Sequence, residues 1–186
     1  MSHLLFVAIP LAWWWRSRRF PIGRLDHTQL RPWYVLWALT IVGEFAVAFT
    51  APPSRIHLPA QSVVVAQLVF LALLAGTSEE FLFRGLIQTA INASLRGSVW
   101  LGAWQFRVGT ALAALLFGLW HLVNLSYQSA AVTAQQVLTA ALVGWIIGVV
   151  YDRTRNLIGA CVLHNLLDFL GAVFPLLAYL ATHGGR

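Results

Sequence analysis

Three short patterns hold most of the ionisable residues that lie inside apolar stretches of this 186-residue chain. They are Glu79-Glu80-Phe81-Leu82-Phe83-Arg84, then Phe117-Gly118-Leu119-Trp120-His121 with Asn124 one turn on, and His164-Asn165-Leu166-Leu167-Asp168. Only six residues of the chain are acidic, and two of them stand side by side at 79 and 80. An ionisable group inside a membrane segment costs a few kcal/mol or more, so by default it marks a functional site. On a helix, Glu80 and Arg84 are i,i+4 neighbours with the glutamate N-terminal, the better orientation for an ion pair. Glu79 points about 100° away from Glu80, free to face the interior of a bundle. Phe117 shares a face with His121, and His164 shares one with Asp168.

These residue types suit hydrolysis of an acyl bond. Glu79 with His121 can activate a water as general base. His164, with Asn165 or Asp168, can donate to or orient around a developing oxyanion. An ionised Asp168 aimed at an oxyanion would repel it, so Asp168 fits better as the residue that orients His164. Phe117, Asn124 and Asn165 are candidate substrate contacts. Cys161, the one cysteine, lies a turn before His164 and reads as a small apolar filler rather than a nucleophile.

The elements that must carry these groups are membrane helices. The chain is 59% hydrophobic and 10% charged, with mean hydropathy +0.74. Soluble domains carry roughly 25% charged residues. The reading is an all-α, polytopic transmembrane bundle of about six apolar helices, forming one membrane-embedded domain over residues 1–186. Residues 1–61 supply N-terminal helices and a basic linker, and 62–175 the core. The first run, Leu4 to Trp15, contains Pro10 and is short for a span. It reads as a retained helix rather than a signal peptide. Later spans are expected at about 33–51, from 62 to about 95, 109–124, 137–151 and 156–180. The third is too long for one straight crossing, so a bend is expected around or after the glutamate pair. Residues 96–107 read as a basic loop. Net charge is +6, and nine of the twelve arginines fall in linkers 16–31, 96–107 and 152–155. That clustering beside apolar spans is a topology signal that puts these linkers in the cytoplasm, not a nucleic-acid footprint. Counted from those linkers, the three patterns can meet in the cytoplasmic half of the membrane.

Taken together, Glu79-Glu80-x-x-x-Arg84, Phe117-x-x-x-His121 and His164-x-x-x-Asp168 resemble the three signature motifs of the CPBP family. These are CAAX-protease and bacteriocin-processing (Abi) intramembrane proteases, related to type II CAAX prenyl endopeptidases. The resemblance covers residues 62 to about 175. It implies an all-helical membrane fold and peptide-bond hydrolysis. By this resemblance Glu79 and His121 activate water, His164 and Asp168 stabilise the oxyanion, and Glu80 and Arg84 support the site. No cofactor is expected under this glutamic-type assignment; the runner-up is zinc held by Glu79, His121 and His164. The implied partner is a membrane protein or peptide with a prenylated tail, a bacteriocin-like leader or a C-terminal sorting tail. The implied setting is the lipid bilayer of a prokaryotic inner or plasma membrane. Other hydrolase signatures are missing: there is no His-Glu-x-x-His, no Gly-x-Ser-Gly, and no Gly-x-Gly-Asp to accompany Tyr151-Asp152. Two other classes stay open on sequence alone, a non-catalytic immunity or scaffold protein and a proton-coupled carrier.

Overall fold

The computed structural model describes residues 2–17, 27–50, 61–102 and 104–183. Most of the basic linker 16–31 and the proline-bearing loop 52–60 lie outside the described residues. Among the described residues the chain is helical, apart from one short hairpin. Helix α1 spans Ser2–Ser17 and α2 His27–Thr50. A continuous helical rod follows, made of α3 (Gln61–Phe70), a π segment (Leu71–Ala75), α4 (Gly76–Glu80), a second π segment (Phe81–Gln88) and α5 (Thr89–Ser94). Strands β1 (Ser98–Leu101) and β2 (Trp104–Arg107) form the hairpin. Then come α6 (Val108–Trp120), a 3-10 turn (His121–Ser126), α7 (Ala130–Thr154) and α8 (Leu157–His183).

Four of these helical stretches are long and apolar enough to cross a membrane: Gln61–Ser94, Val108–Ser126, Ala130–Thr154 and Leu157–Ala181. Against the expected six, four helices among the described residues are found to be both long and apolar enough. Helix α1, with 16 residues, reaches about 24 Å, short of the ~30 Å hydrocarbon core. Large apolar side chains such as Leu73, Val123, Leu138 and Leu142 are more than half exposed, as lipid-facing residues must be.

Local chemistry sets the ends of the elements. Ser129 caps α7, its hydroxyl accepting from the Val132 amide. Arg155 ends that helix in the left-handed region with φ 53, and Asn156 starts the next by accepting from the Gly159 amide at 2.9 Å. Residues 96–107 hold more order than a loop. Ser98 pairs with Arg107 and Leu101 with Trp104, and the turn begins at Gly102 with φ 59, where a side chain would be strained. The π segments bracket the glutamate pair. Such wide turns concentrate at functional sites and at kinks, and they stand where the sequence leads one to expect a bend.

An apolar cluster fills the end of the bundle near the hairpin, around Leu30, Trp33, Ile147, Tyr151, Leu157 and Leu163. It ties α2, α7 and α8 together. Trp33 donates to Thr154 Oγ1 at 3.2 Å and Trp37 to the Gly159 carbonyl at 3.4 Å. Cys161 is buried in this cluster as packing.

Candidate active site

The rod and α8 meet at Gly76. A Cβ there would lie 2.7 Å from the Asn165 amide nitrogen and 2.8 Å from His164 Cβ, so only glycine lets the backbones approach this closely. Asn165 locks the contact. Its carbonyl oxygen accepts from the Thr77 amide at 3.0 Å and its Nδ2 donates to Thr77 Oγ1 at 2.8 Å. Both ends of that side chain thus take part in joining the two helices.

This docking sets His164 beside the glutamates. Glu80 Oε1 accepts from Arg84 Nη1 at 2.7 Å and from His164 Nδ1 at 2.6 Å. The Glu80 and Arg84 side chains are 0% and 1% exposed. Arg84 also donates through Nη2 to the Gly144 carbonyl at 2.8 Å, and its guanidinium carbon stands 4.9 Å from the centre of the Phe117 ring. The Phe117 ring in turn meets Phe83, His121 and His164 edge to face. One aromatic residue on α6 therefore packs against the arginine and both histidines.

A carboxylate accepts at Nδ1 of His164, so Nδ1 carries a hydrogen, and Nε2 points the other way. Nε2 lies 3.6 Å from Glu79 Oε2 and 3.9 Å from Asp168 Oδ1. The second distance is beyond a hydrogen bond. The orienter of His164 is thus Glu80, not Asp168 as the i,i+4 spacing suggests. The helical neighbour is near, but a residue 84 positions away in sequence makes the short contact.

His121 closes α6. Its Nδ1 is 2.9 Å from the Phe117 carbonyl oxygen. A carbonyl only accepts, so Nδ1 carries a hydrogen, which in the neutral ring leaves Nε2 as the acceptor. Among the described residues Glu79 makes no hydrogen bond to His121. Asn124 turns from the histidine to α7, donating to Gln136 Oε1 at 2.7 Å and accepting from the Tyr127 hydroxyl. No three His, Cys, Asp or Glu side chains among the described residues are arranged to hold a metal ion. The zinc set Glu79, His121 and His164 therefore does not converge as three ligands.

His121, His164, Asp168 and Phe117 line a cavity of ≈ 440 Å³ between α7 and α8. A second cavity of ≈ 470 Å³ on another flank of α8 is almost wholly apolar and takes in none of the carboxyl groups or histidines. Sequence reasoning missed two contributions here. The wall of the first cavity includes Gln128, Gln135, Gln136 and Thr139, and their signal was a run of polar residues at helical spacing in an otherwise apolar helix. His3 of α1 places Nδ1 2.7 Å from Ser78 Oγ. Because that hydroxyl donates to the Ala75 carbonyl at 2.8 Å, His3 is the donor. It is the only ionisable side chain in residues 2–15, which was the available clue.

No curated protein and no solved structure matches the chain significantly. Residues 61–170 match the family model described as type II CAAX prenyl endopeptidase Rce1-like, a stretch that contains every motif residue assembled around His164, and the chain accordingly belongs to that family of membrane proteases.

Proposed function

We propose that the chain is a glutamic-type intramembrane endopeptidase in which Glu79 and His121 activate water and His164 stabilises the oxyanion. The observation that carries this reading is the placement of His164: Nδ1 fixed by Glu80 at 2.6 Å, Nε2 turned toward Glu79 at 3.6 Å. Glu79 takes a proton from water while the oxygen attacks the scissile carbonyl carbon. His121, with its Nε2 lone pair, is the second acceptor for that water. The tetrahedral oxyanion accepts a hydrogen bond from Nε2–H of a doubly protonated His164, whose charge Glu80 balances. Collapse breaks the C–N bond, and the leaving nitrogen takes the proton held by Glu79. Glu80 and Arg84 touch no reacting atom; they position His164. Asp168 sits beside Nε2 and holds proton charge near it, while Asn165 and Asn124 brace the walls. A cavity of ≈ 440 Å³ falls within the 300–1,000 Å³ range of ordinary ligand sites and suits a few extended residues.

The family's name supplies one substrate class, a prenylated CAAX tail; a peptide leader and a C-terminal sorting tail are the other two. The test is cleavage by the purified full chain of one membrane-tethered peptide from each class, with wild type and Glu79→Gln compared, with and without a strong chelator. Cleavage by wild type that falls at least 100-fold in Glu79→Gln and persists in chelator is expected, since general base catalysis is worth about 10²–10⁴-fold. Full cleavage by Glu79→Gln refutes the mechanism. Loss of cleavage in chelator restores the zinc version.

A further inference from the structure

We infer that His3 of α1 is a positioning residue of the catalytic site: its hydrogen bond to Ser78 fixes the rotation of the short helical island that aims Glu79. The inference rests on Glu79 being the base of the proposed protease. It adds to that site a residue from outside the stretch 61–170 that matches the family model.

The Glu79 carboxylate is not held by a bond of its own. Among the described residues its nearest ion partner is His164, whose Nε2 lies 3.6 Å from Oε2, beyond a hydrogen bond. Its direction is therefore inherited from the backbone beneath it. That backbone is α4, five residues long, Gly76–Glu80. It has a π segment on either side, Leu71–Ala75 and Phe81–Gln88. Such winding is rare beside regular α winding, so contacts from other elements must hold the island at the rotation it has.

Two other helices supply those contacts at successive residues. Asn165 of α8 bonds the Thr77 amide and hydroxyl at 3.0 Å and 2.8 Å. His3 of α1 bonds the Ser78 hydroxyl at 2.7 Å. Thr77 and Ser78 point about 100° apart on a helix, so the two bonds restrain rotation from different directions. Ser78 is a firm anchor, buried and with its hydroxyl hydrogen committed to the Ala75 carbonyl at 2.8 Å. Glu80, on the far side of Glu79, is held by Arg84 and His164. The carboxylate of Glu79 thus stands free for water between two neighbours that are tied down.

The face of α1 that carries His3 is packed in place. The His3 ring meets Phe70 edge to face with centroids 5.0 Å apart. Phe6, one turn on and buried, meets Trp120 in the same way at 5.1 Å. Trp120 precedes His121 in the chain, as Ser78 precedes Glu79. One face of α1 therefore bears on the residue before each of the two proposed water-activating groups. Neither His3 nor Ser78 lines the ≈ 440 Å³ cavity, so a loss at either falls on kcat rather than on KM.

The experiment separates the bond from the packing of the ring. His3→Phe keeps a ring and loses the donor. His3→Asn loses the ring and keeps an amide N–H near the place of Nδ1. Each is purified as the full chain. Thermal unfolding is measured, together with kcat and KM on one membrane-tethered peptide of each substrate class. His3→Phe is expected to lower kcat about tenfold with KM unchanged, since a shift of about 1 Å costs roughly 10²-fold and this shift is smaller. His3→Asn is expected to keep kcat within about threefold of wild type, even where it unfolds at a lower temperature than His3→Phe. Ser78→Ala should match His3→Phe, and the double variant His3→Phe/Ser78→Ala should be no slower than either. A kcat that follows the unfolding temperature instead of the donor overturns the inference. So does a full kcat in His3→Phe or in Ser78→Ala. With Glu79→Gln inactive, those results leave the protease reading standing. A wild type that cleaves none of the peptides, or a Glu79→Gln that cleaves fully, refutes the protease reading and the role of His3 with it.

Discussion

Replacing Glu80 by glutamine removes the one charge that both Arg84 and His164 use. The amide oxygen still accepts, so the geometry is kept while the charge is lost. Arg84, 1% exposed, is left with Phe117 and the Gly144 carbonyl. Breaking a buried pair by removing one partner costs about 3–5 kcal/mol. The retained acceptor sets the expectation at the lower end, about 3 kcal/mol. For a chain of this size that lowers the midpoint of thermal unfolding by roughly 6–12 °C. Arg84→Met should cost a similar amount. The double variant Glu80→Gln/Arg84→Met should cost no more than either single variant, about 3 kcal/mol, which is a coupling of about 3 kcal/mol between the sites. Cleavage falls as well. Without the Glu80 charge the positive His164 that faces the oxyanion is no longer balanced, and losing one oxyanion donor costs roughly 10²–10³-fold in rate. That loss should be present in the single and double variants alike. The assay is a double-mutant cycle by thermal unfolding in one detergent, with cleavage measured on the same preparations. A coupling near zero, or a double variant that recovers activity, refutes the assigned role of Glu80.

Other outcomes follow from the same geometry. Gly76→Leu should separate the rod from α8 and abolish cleavage, with destabilisation of at least about 1–3 kcal/mol by overpacking, whereas Gly43→Ala, where the glycine meets no neighbour within 4 Å, should leave both unchanged; thermal unfolding checks this pair. Asn165→Ala strands the Thr77 amide and should cost about 1–3 kcal/mol of stability, and a reduction in cleavage without that loss would return Asn165 to the substrate-binding set. Cys161→Ala should keep cleavage at the wild-type level and resist inactivation no better than wild type when treated with a thiol alkylator.

The parts of the site legible in the sequence are the local ones. Glu80 and Arg84 meet because four residues make a turn, and the same arithmetic places Phe117 against His121. It fails at His164, where the nearest helical acid is Asp168 but the short contact comes from Glu80 across the bundle. That choice is made by the close approach at Gly76, a tertiary event that periodicity cannot express. The start of α7 shows the opposite kind of miss. Apolarity alone placed it near residue 137, because Thr133, Gln135 and Gln136 interrupt the run; the helix begins at Ala130, and the interruptions face the cavity or the interior. Residues 98–107 escaped as well, since four-residue strands about a tight turn carry little pattern beside long helices.

The two π segments have a consequence for chain length. They flank a five-residue α-helical island, Gly76–Glu80, that carries Gly76, Thr77 and both glutamates. Each wide turn accommodates a residue that a regular α-helix would not hold at that rotation. Inserting one further residue in 71–75 would exceed what the wide turn absorbs and turn the island by up to about 100° relative to the chain before it. Gly76 would then no longer face His164, although every motif residue would still be present in order. The site is thus written partly in spacing: this stretch should accept many changes of residue type and almost none of length.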